Sequence, residues 1–422
     1  MNPRSKSFVC TVVGLVLSGG ASAVPVVSDV TLTQKSPNRL YIDYKLSEPA
    51  VVTFDVLTNG VSIGRELLGN FTGDCRRVVK TATGQIAWTG ITHVWPDVVV
   101  DNKGMTAVVK AWPTNSPPDY MVVDLTGTNS FPHVQWYEKE SDLPGGTVLQ
   151  DIYKTDLLVM KRIHAAGVRW RMGKMSWENS DGYDSYQPAH DVVLSNDYYL
   201  GVFELTQRQC LYVKTDVSFV YAGHDKNPAE HLTFAGCRGS PVTYNFVTMG
   251  HNVPNGFFTN IRGKANGICF DFPTSAQWEF ACRAGTRTVY HNGSDFSCRD
   301  IAWTSGNWRD DTSISSNMTH EVGLLGPNAF GLYDMIGNVW EVCVDRAIMA
   351  TDDPDGYYDA DDYYVEEEPI GPESTKDNTL FRCGGSYKHN EKLGRSASRI
   401  PSGMNYSDSV QGVRLWCACE AK

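Results

Sequence analysis

From about residue 148 onward this chain offers one clear helix signal, and that scarcity constrains the fold more than any other property of the sequence. The segment reads Phe272-Pro273-Thr274-Ser275-Ala276-Gln277-Trp278-Glu279-Phe280-Ala281-Cys282-Arg283-Ala284-Gly285. Thr274 is placed to cap the first turn, Gln277 three residues on reaches back as in a capping box, and Gly285 closes the end. A second, short helix is expected over Thr206–Val213. The rest is dense in Trp, Tyr, Asn and Gly and lacks long amphipathic stretches. Short strands and loops must carry the backbone there, and their amides and carbonyls need side chains, disulfides or metal ions as partners.

The first third has a different texture. From Val26 to about Leu125, runs rich in Val, Thr, Ile and Tyr are cut by Gly, Asn and Pro at the spacing of an all-β sandwich. Expected strands are Leu40–Leu46, Val51–Leu57, Arg76–Thr81, Met105–Ala111 and Tyr120–Leu125, with turns at Thr58-Asn59-Gly60 and Asp101-Asn102-Lys103-Gly104. The pattern resembles a bacterial immunoglobulin-like or fibronectin-like module, with spacing or docking as its expected work and no catalytic constellation. Residues 126–147 read as a linker. The expected division is a leader over 1–23, a sandwich over 24–125, the linker, and a second domain over 148–422.

The leader rests on Arg4 and Lys6, a short apolar run from Phe8 to Leu17, and Ala21-Ser22-Ala23 as a small-residue cleavage site. This is a secretory pattern, and the run is too short to span a bilayer of about 30 Å. A secreted or periplasmic protein without a transmembrane segment is expected. Such a compartment permits disulfides. Of eleven cysteines, Cys10 leaves with the leader, so complete pairing is open to the rest and its connectivity is not legible. Cys75 stands alone in the first third, and Cys417-x-Cys419 reads as two residues on one face of a terminal strand. The formal charge of −11 argues against nucleic acid, whose binders depend on a basic footprint.

Separated blocks in the second domain carry a family resemblance. They are Gly201-Val202-Phe203-Glu204-Leu205-Thr206, the helix segment with Trp278-Glu279-Phe280-Ala281, and Pro327-Asn328-Ala329-Phe330-Gly331-Leu332-Tyr333-Asp334-Met335-Ile336-Gly337-Asn338-Val339-Trp340-Glu341. Three more close the chain: Arg382-Cys383-Gly384-Gly385-Ser386-Tyr387, Arg395-Ser396-Ala397-Ser398-Arg399 and Gly412-Val413-Arg414-Leu415. In this order they resemble the formylglycine-generating enzyme, or sulfatase-modifying factor, family. The resemblance implies an α+β, C-type-lectin-like fold with much irregular structure.

It also implies a structural calcium held by the side chains of Asp334 and Glu341 with main-chain oxygens of Gly337 and Val339. A second calcium site would begin at Asn307 and Trp308. The residues make chemical sense of the first, since Gly337 and Asn338 permit a tight turn and Ca²⁺ takes six to eight oxygens, backbone carbonyls among them. The implied oxidase needs a cysteine pair in the loop after Gly-Gly-Ser-Tyr to hold copper(I), a soft cation suited to two thiolates. Here that loop reads Lys388-His389-Asn390-Glu391-Lys392-Leu393-Gly394, without cysteine. His389, Asn390 and Glu391 stand where the pair is missing, so copper is not expected. No G-x-S-x-G elbow, phosphate loop or H-E-x-x-H pair supplies another chemistry.

Between Thr351 and Glu368 lie nine acids with Tyr357, Tyr358, Tyr363 and Tyr364. Aromatic rings supply contact area at small entropy cost, which makes this stretch, with Arg399, a candidate binding surface as well as an ordinary solvated insertion. Two functions follow. The first is an exported, calcium-stabilised binding or scaffold protein for a protein or glycan ligand. The alternative is an oxidase that converts a sulfatase cysteine to formylglycine through a rearranged site.

Overall fold

The computed structural model describes residues 8–9, 24–36, 38–94, 100, 104–127, 133–178, 189–239, 256–306, 318–347, 365–367 and 379–422. Asn307, Trp308, Tyr357, Tyr358, Tyr363, Tyr364 and, Phe8 and Val9 apart, the expected leader lie outside them. The chain divides into two compact units: Met1–Val122 with Val134–Val148 and Cys419–Lys422, and Val123–His133 with Leu149–Ala418.

The N-terminal unit is all-β apart from single helical turns. In one sheet Val27–Ser36, Arg39–Leu46 and Thr83–Thr89 pair antiparallel in that order, with Phe71–Gly73 on the far edge. In the other, Ala50–Thr58 pairs along its length with Met105–Trp112. Alternation decides which side chains go inward. Leu40, Ile42, Tyr44 and Leu46 are buried while Arg39 and Lys45 are exposed. These residues share one apolar core with Val52, Val56, Ala107 and Val109 of the second sheet, so the two sheets form a sandwich. The expected strands at Leu40–Leu46, Val51–Leu57, Met105–Ala111 and Tyr120–Leu125 form, but Arg76–Thr81 shrinks to Val78–Val79 because Arg76 takes a left-handed backbone, and Val27–Ser36 and Thr83–Thr89 carried too mixed an alternation to be singled out. The expected linker is corrected: Val134–Tyr137 is a fully buried strand, and the backbone N–H of Trp136 donates to the Arg76 carbonyl at 2.9 Å.

In the second unit Leu157–Ile163 pairs with Tyr198–Gly201, which pairs with Trp416–Ala418, which pairs with Phe270–Asp271, all antiparallel. A second sheet runs Arg399–Gly403, Thr379–Cys383, Trp340–Arg346 and Gln411–Gly412, the last pair parallel. Every residue of Trp340–Arg346 is buried. The α+β expectation holds. The expected helix spans Ser275–Arg283, and both halves of its capping box form, Thr274 Oγ1 accepting from Gln277 N–H at 3.1 Å and Gln277 Oε1 from Thr274 N–H at 3.0 Å. Its end is reached one residue earlier than expected, because Ala284 itself takes the left-handed conformation at φ 45°. The Gln207–Val213 helix repeats the device with Thr206 and Gln209. Every residue of the Ser275–Arg283 helix is buried, so its polar side chains are paired internally, as Glu279 with Arg283 at 2.7 Å.

Two predictions follow from these elements. Thr274→Ala removes one hydrogen-bond acceptor from a buried cap and should cost about 1–2 kcal/mol by denaturant unfolding. His291 is 5% exposed and neither ring nitrogen has a partner among the described residues. Burial pushes its pKa from 6.5 down to about 4, so the folded state resists its protonation. Its stability contribution is present above pH ~6.5 and is lost as pH falls toward ~4, amounting to roughly 2–3 kcal/mol. His291→Phe should flatten the acid limb of a stability–pH curve by about that much, and an unchanged slope would refute this account.

Candidate functional site

The sequence blocks converge on one buried cluster. Arg414 is fully buried and donates from Nε and Nη2 to the Glu341 carboxylate, the latter at 2.7 Å. Its remaining donors reach main-chain oxygens: Nη1 those of Gly201 and Val202 at 2.9 and 3.1 Å, and Nη2 that of Tyr333 at 2.8 Å. Trp278 of the Ser275–Arg283 helix adds its indole N–H to Glu341 Oε2 at 2.6 Å. The guanidinium fork and the carboxylate are thus both saturated.

Beside them the chain turns sharply through three left-handed residues, Asp334 (φ 53°), Gly337 (φ 84°) and Asn338 (φ 53°). Only glycine fits at 337, since a Cβ there would lie 2.2 Å from the Trp303 carbonyl oxygen. Glu204 pins the turn, its carboxylate accepting from Val339 N–H at 3.1 Å and Asn338 Nδ2 at 2.7 Å. Asn338 also exchanges hydrogen bonds with the backbone of His320. Three buried carboxylates, Glu204, Asp334 and Glu341, therefore share one guanidinium. Burial first, then the neighbouring Asp334 and Glu341 charges, push Glu204 well above the usual carboxylate range, and burial raises Asp334 to about 6.

The residues expected to hold calcium lie at this turn. Asp334 accepts from Gly323 N–H at 2.6 Å through Oδ2, while its buried Oδ1 has no partner. No donor among the described residues reaches the carbonyl oxygens of Gly337 or Val339. Those three oxygens suit a hard cation. Glu341 does not join them, because its carboxylate serves as the counterion of Arg414. Among the described residues, no three or more His, Cys, Asp or Glu side chains gather as a metal cluster.

The loop that lacks the cysteine pair lies against Trp340. Asn390 precedes a single 3-10 turn, Glu391–Gly394, and Glu391 Oε1 stands 3.4 Å from Arg299 Nε. His389 Nδ1 receives the Trp340 indole N–H at 3.2 Å and lies 2.6 Å from Ser386 Oγ. An indole N–H only donates, so the hydrogen-bond network assigns the imidazole proton to Nε2. Burial, then the Arg382 charge, lowers the His389 pKa and keeps the ring neutral. The cysteines lie elsewhere: Cys343 and Cys383 bring their Sγ atoms to 3.8 Å on neighbouring strands, both buried with raised pKa values.

Around the loop are residues the sequence reading missed. The Arg382 guanidinium lies 5.3 Å from the Trp340 ring and 5.0 Å from that of Tyr406. Tyr221 and Tyr387 meet edge to face with their hydroxyls 3.0 Å apart, and Lys388 Nζ reaches Ser409 Oγ at 3.0 Å. Tyr406 and Lys388 are exposed. Alternation of Trp or Tyr with cations near the Gly384–Gly385 turn was the available signal, but Tyr221 and Tyr406 arrive from distant segments. Arg399, by contrast, is not a surface residue. It is 5% exposed, donates to Ser275 Oγ at 3.2 Å and lies over the Phe381 ring, because its strand turns that side chain into the core.

The family model described as sulfatase-modifying factor enzyme 1-like domain matches residues 143–418. The chaperone protein LppX of Paenibacillus barcinonensis is 28% identical over 182 residues, covering 36% of this chain and 63% of that protein. The formylglycine-generating enzyme of Mycobacterium tuberculosis is 39% identical over 98 residues, 22% of this chain and 32% of the enzyme. That of Mus musculus is 31% identical over 162 residues, 35% and 38%. The chain thus spans less than two thirds of the length of these relatives. Treponema denticola variable protein 1 aligns over 62% of this chain and 95% of its own at 26% identity, with a TM-score of 0.46.

The saturated ion pair makes a quantitative prediction. Arg414→Met leaves Glu341 buried without its partner and should cost about 3–5 kcal/mol, whereas Arg414→Met with Glu341→Leu should recover much of that loss. A double-mutant cycle by urea unfolding measures the coupling; additive losses would show that the two charges do not depend on each other.

Proposed function

Because the chain belongs to the sulfatase-modifying factor enzyme 1-like family, we propose that it is an exported binding member of that family and not its copper oxidase. The loop around His389 carries this reading. It contains no thiol, the Nδ1 lone pair of His389 faces the Trp340 N–H, and Nε2 holds the proton, so the ring offers copper(I) no free lone pair. Cys343 and Cys383 do not replace the missing pair, since their burial and raised pKa values disfavour both thiolate formation and access by a polypeptide. What this face presents instead is aromatic and cationic: the exposed Tyr406 and Lys388, with the half-buried Arg382 against the Tyr406 ring. That chemistry suits an acidic protein segment or a glycan, with rings for contact area and cations for carboxylates. Similarity to a protein named as a chaperone accords with polypeptide binding.

The test has two arms. Purified protein incubated with copper, O₂ and a peptide carrying C-x-P-x-R should leave the cysteine unchanged by mass spectrometry. On peptide and glycan arrays it should retain ligands that Lys388→Ala or Tyr406→Ala loses, with the melting temperature unchanged. Turnover of cysteine to aldehyde would replace this reading with the oxidase.

The proposal includes a structural calcium held by Asp334 Oδ1 and the Gly337 and Val339 carbonyls, with Glu341 reserved for Arg414. Two excess buried carboxylates support a divalent cation there. Calcium at 100 times its Kd should stabilise the fold by about 2.7 kcal/mol. A chelator should lower the wild-type melting temperature, and Asp334→Ala should abolish that response. A wild-type melting temperature indifferent to chelator would remove calcium from the account.

A further inference from the structure

The N-terminal unit contains a cavity of about 540 Å³, within the size range of small-molecule sites. It occurs where the sequence offered only a spacer. Phe54, Trp136 and Tyr137 supply aromatic walls. Trp136 is 1% exposed and its indole N–H has no acceptor among the described residues. A buried donor left unpaired has lost its hydrogen bond to water, a loss that a bound acceptor would restore.

Arg76 stands between two of the rings, its guanidinium 5.2 Å from Phe54 and 5.5 Å from Tyr137, with Nη2 donating to the Leu68 carbonyl at 3.0 Å. It holds this place from a left-handed backbone, φ 56°, which a residue with a Cβ adopts only against steric strain. Arg65 comes from the helical turn Arg65–Leu68 and lies directly on Gly146, where any Cβ would fall 1.4 Å from its Nη1.

The charges lining the cavity do not cancel. Lys110 pairs with Glu138 at 2.6 Å and Lys139 with Asp142 at 3.8 Å. Asp55 accepts from Ser62 Oγ at 2.8 Å. Among the described residues neither Arg65 nor Arg76 has a carboxylate partner. Two guanidinia against one remaining carboxylate leave an excess of one positive charge, which matches a monoanion; a dianion would also face three carboxylates in the same walls.

We propose that this cavity is a binding site for a small organic monoanion with a flat apolar body, an aromatic carboxylate in chemical class. The rings stack on its body, the exposed Arg65 fork takes its carboxylate, and Trp136 N–H finds an acceptor. The site belongs to the N-terminal unit and does not depend on the function proposed for the other one.

Calorimetric titration of the full-length protein tests it with three probes: phenylacetate, its uncharged analogue benzyl alcohol, and phenyl phosphate. Phenylacetate should bind saturably with one-to-one stoichiometry, about tenfold more tightly than benzyl alcohol. Arg65→Ala, an exposed substitution, should weaken phenylacetate about tenfold while the melting temperature stays at the wild-type value. Absence of saturable phenylacetate binding overturns the proposal, as does equal affinity in wild type and Arg65→Ala. Tighter binding of phenyl phosphate would overturn the monoanion assignment.

Discussion

The Glu341–Arg414 pair is the interaction on which the second unit depends. Two charges without solvent are tolerable only when every donor and acceptor is used, and here the fork and the carboxylate satisfy each other, three backbone carbonyls and an indole N–H. Each partner arrives from a different part of the chain. Arg414 lies near the C-terminus, Gly201 and Val202 end an early strand, Trp278 stands on the buried helix, and Tyr333 and Glu341 flank the left-handed turn. A fold with few long elements cannot rely on helix and sheet ladders for its order. This network fixes the turn between Tyr333 and Glu341 from both sides, and the turn fixes the loop, since Tyr387 N–H donates to the Asn338 carbonyl and Gly337 N–H to that of Gly384.

That dependence explains what was legible in the sequence. Local signals were read correctly where they were self-contained: Thr274 with Gln277, Thr206 at the second helix, and the strands over Arg39–Leu46 and Met105–Trp112. The blocks around Glu204, Glu341 and Arg414 were visible as a pattern, but their mutual pairing was not, because no local rule relates residues up to 213 positions apart. The family resemblance implied a cation at Glu341, and no local rule showed that Arg414 pairs with the same carboxylate. Arg399 was assigned to the surface from its charge, although the strand at Arg399–Gly403 faces that side chain inward. Val134–Tyr137 was hidden among Gly, Pro and Ser, whose turn propensity outweighs four residues of strand pattern.

The same network separates the scaffold from its chemistry. None of its donors or acceptors comes from Lys388–Gly394, so that loop is free to change composition without uncovering a buried charge. Its anchors are the two ends, Ser386 and Tyr387 on one side and Gly394 against Gly385 on the other. Between them the side chains are exposed or half-buried. The strong motifs therefore identify the fold, whereas function resides in the residues that the motifs do not specify.

The N-terminal sandwich reverses this relation. Its core is ordinary alternation around Leu40, Ile42, Val52 and Val109, on strands legible from the spacing alone, and needs no buried ion pair to hold its two sheets. Two of its departures lie together, where Arg76 accepts a left-handed backbone and Trp136 leaves its indole N–H without an acceptor. Each carries a cost that the sandwich could avoid with common substitutions, a residue with no polar group at 136 or a glycine at 76. Two such costs in the lining of a single cavity are more economically explained by one occupant than by two unrelated accidents of packing.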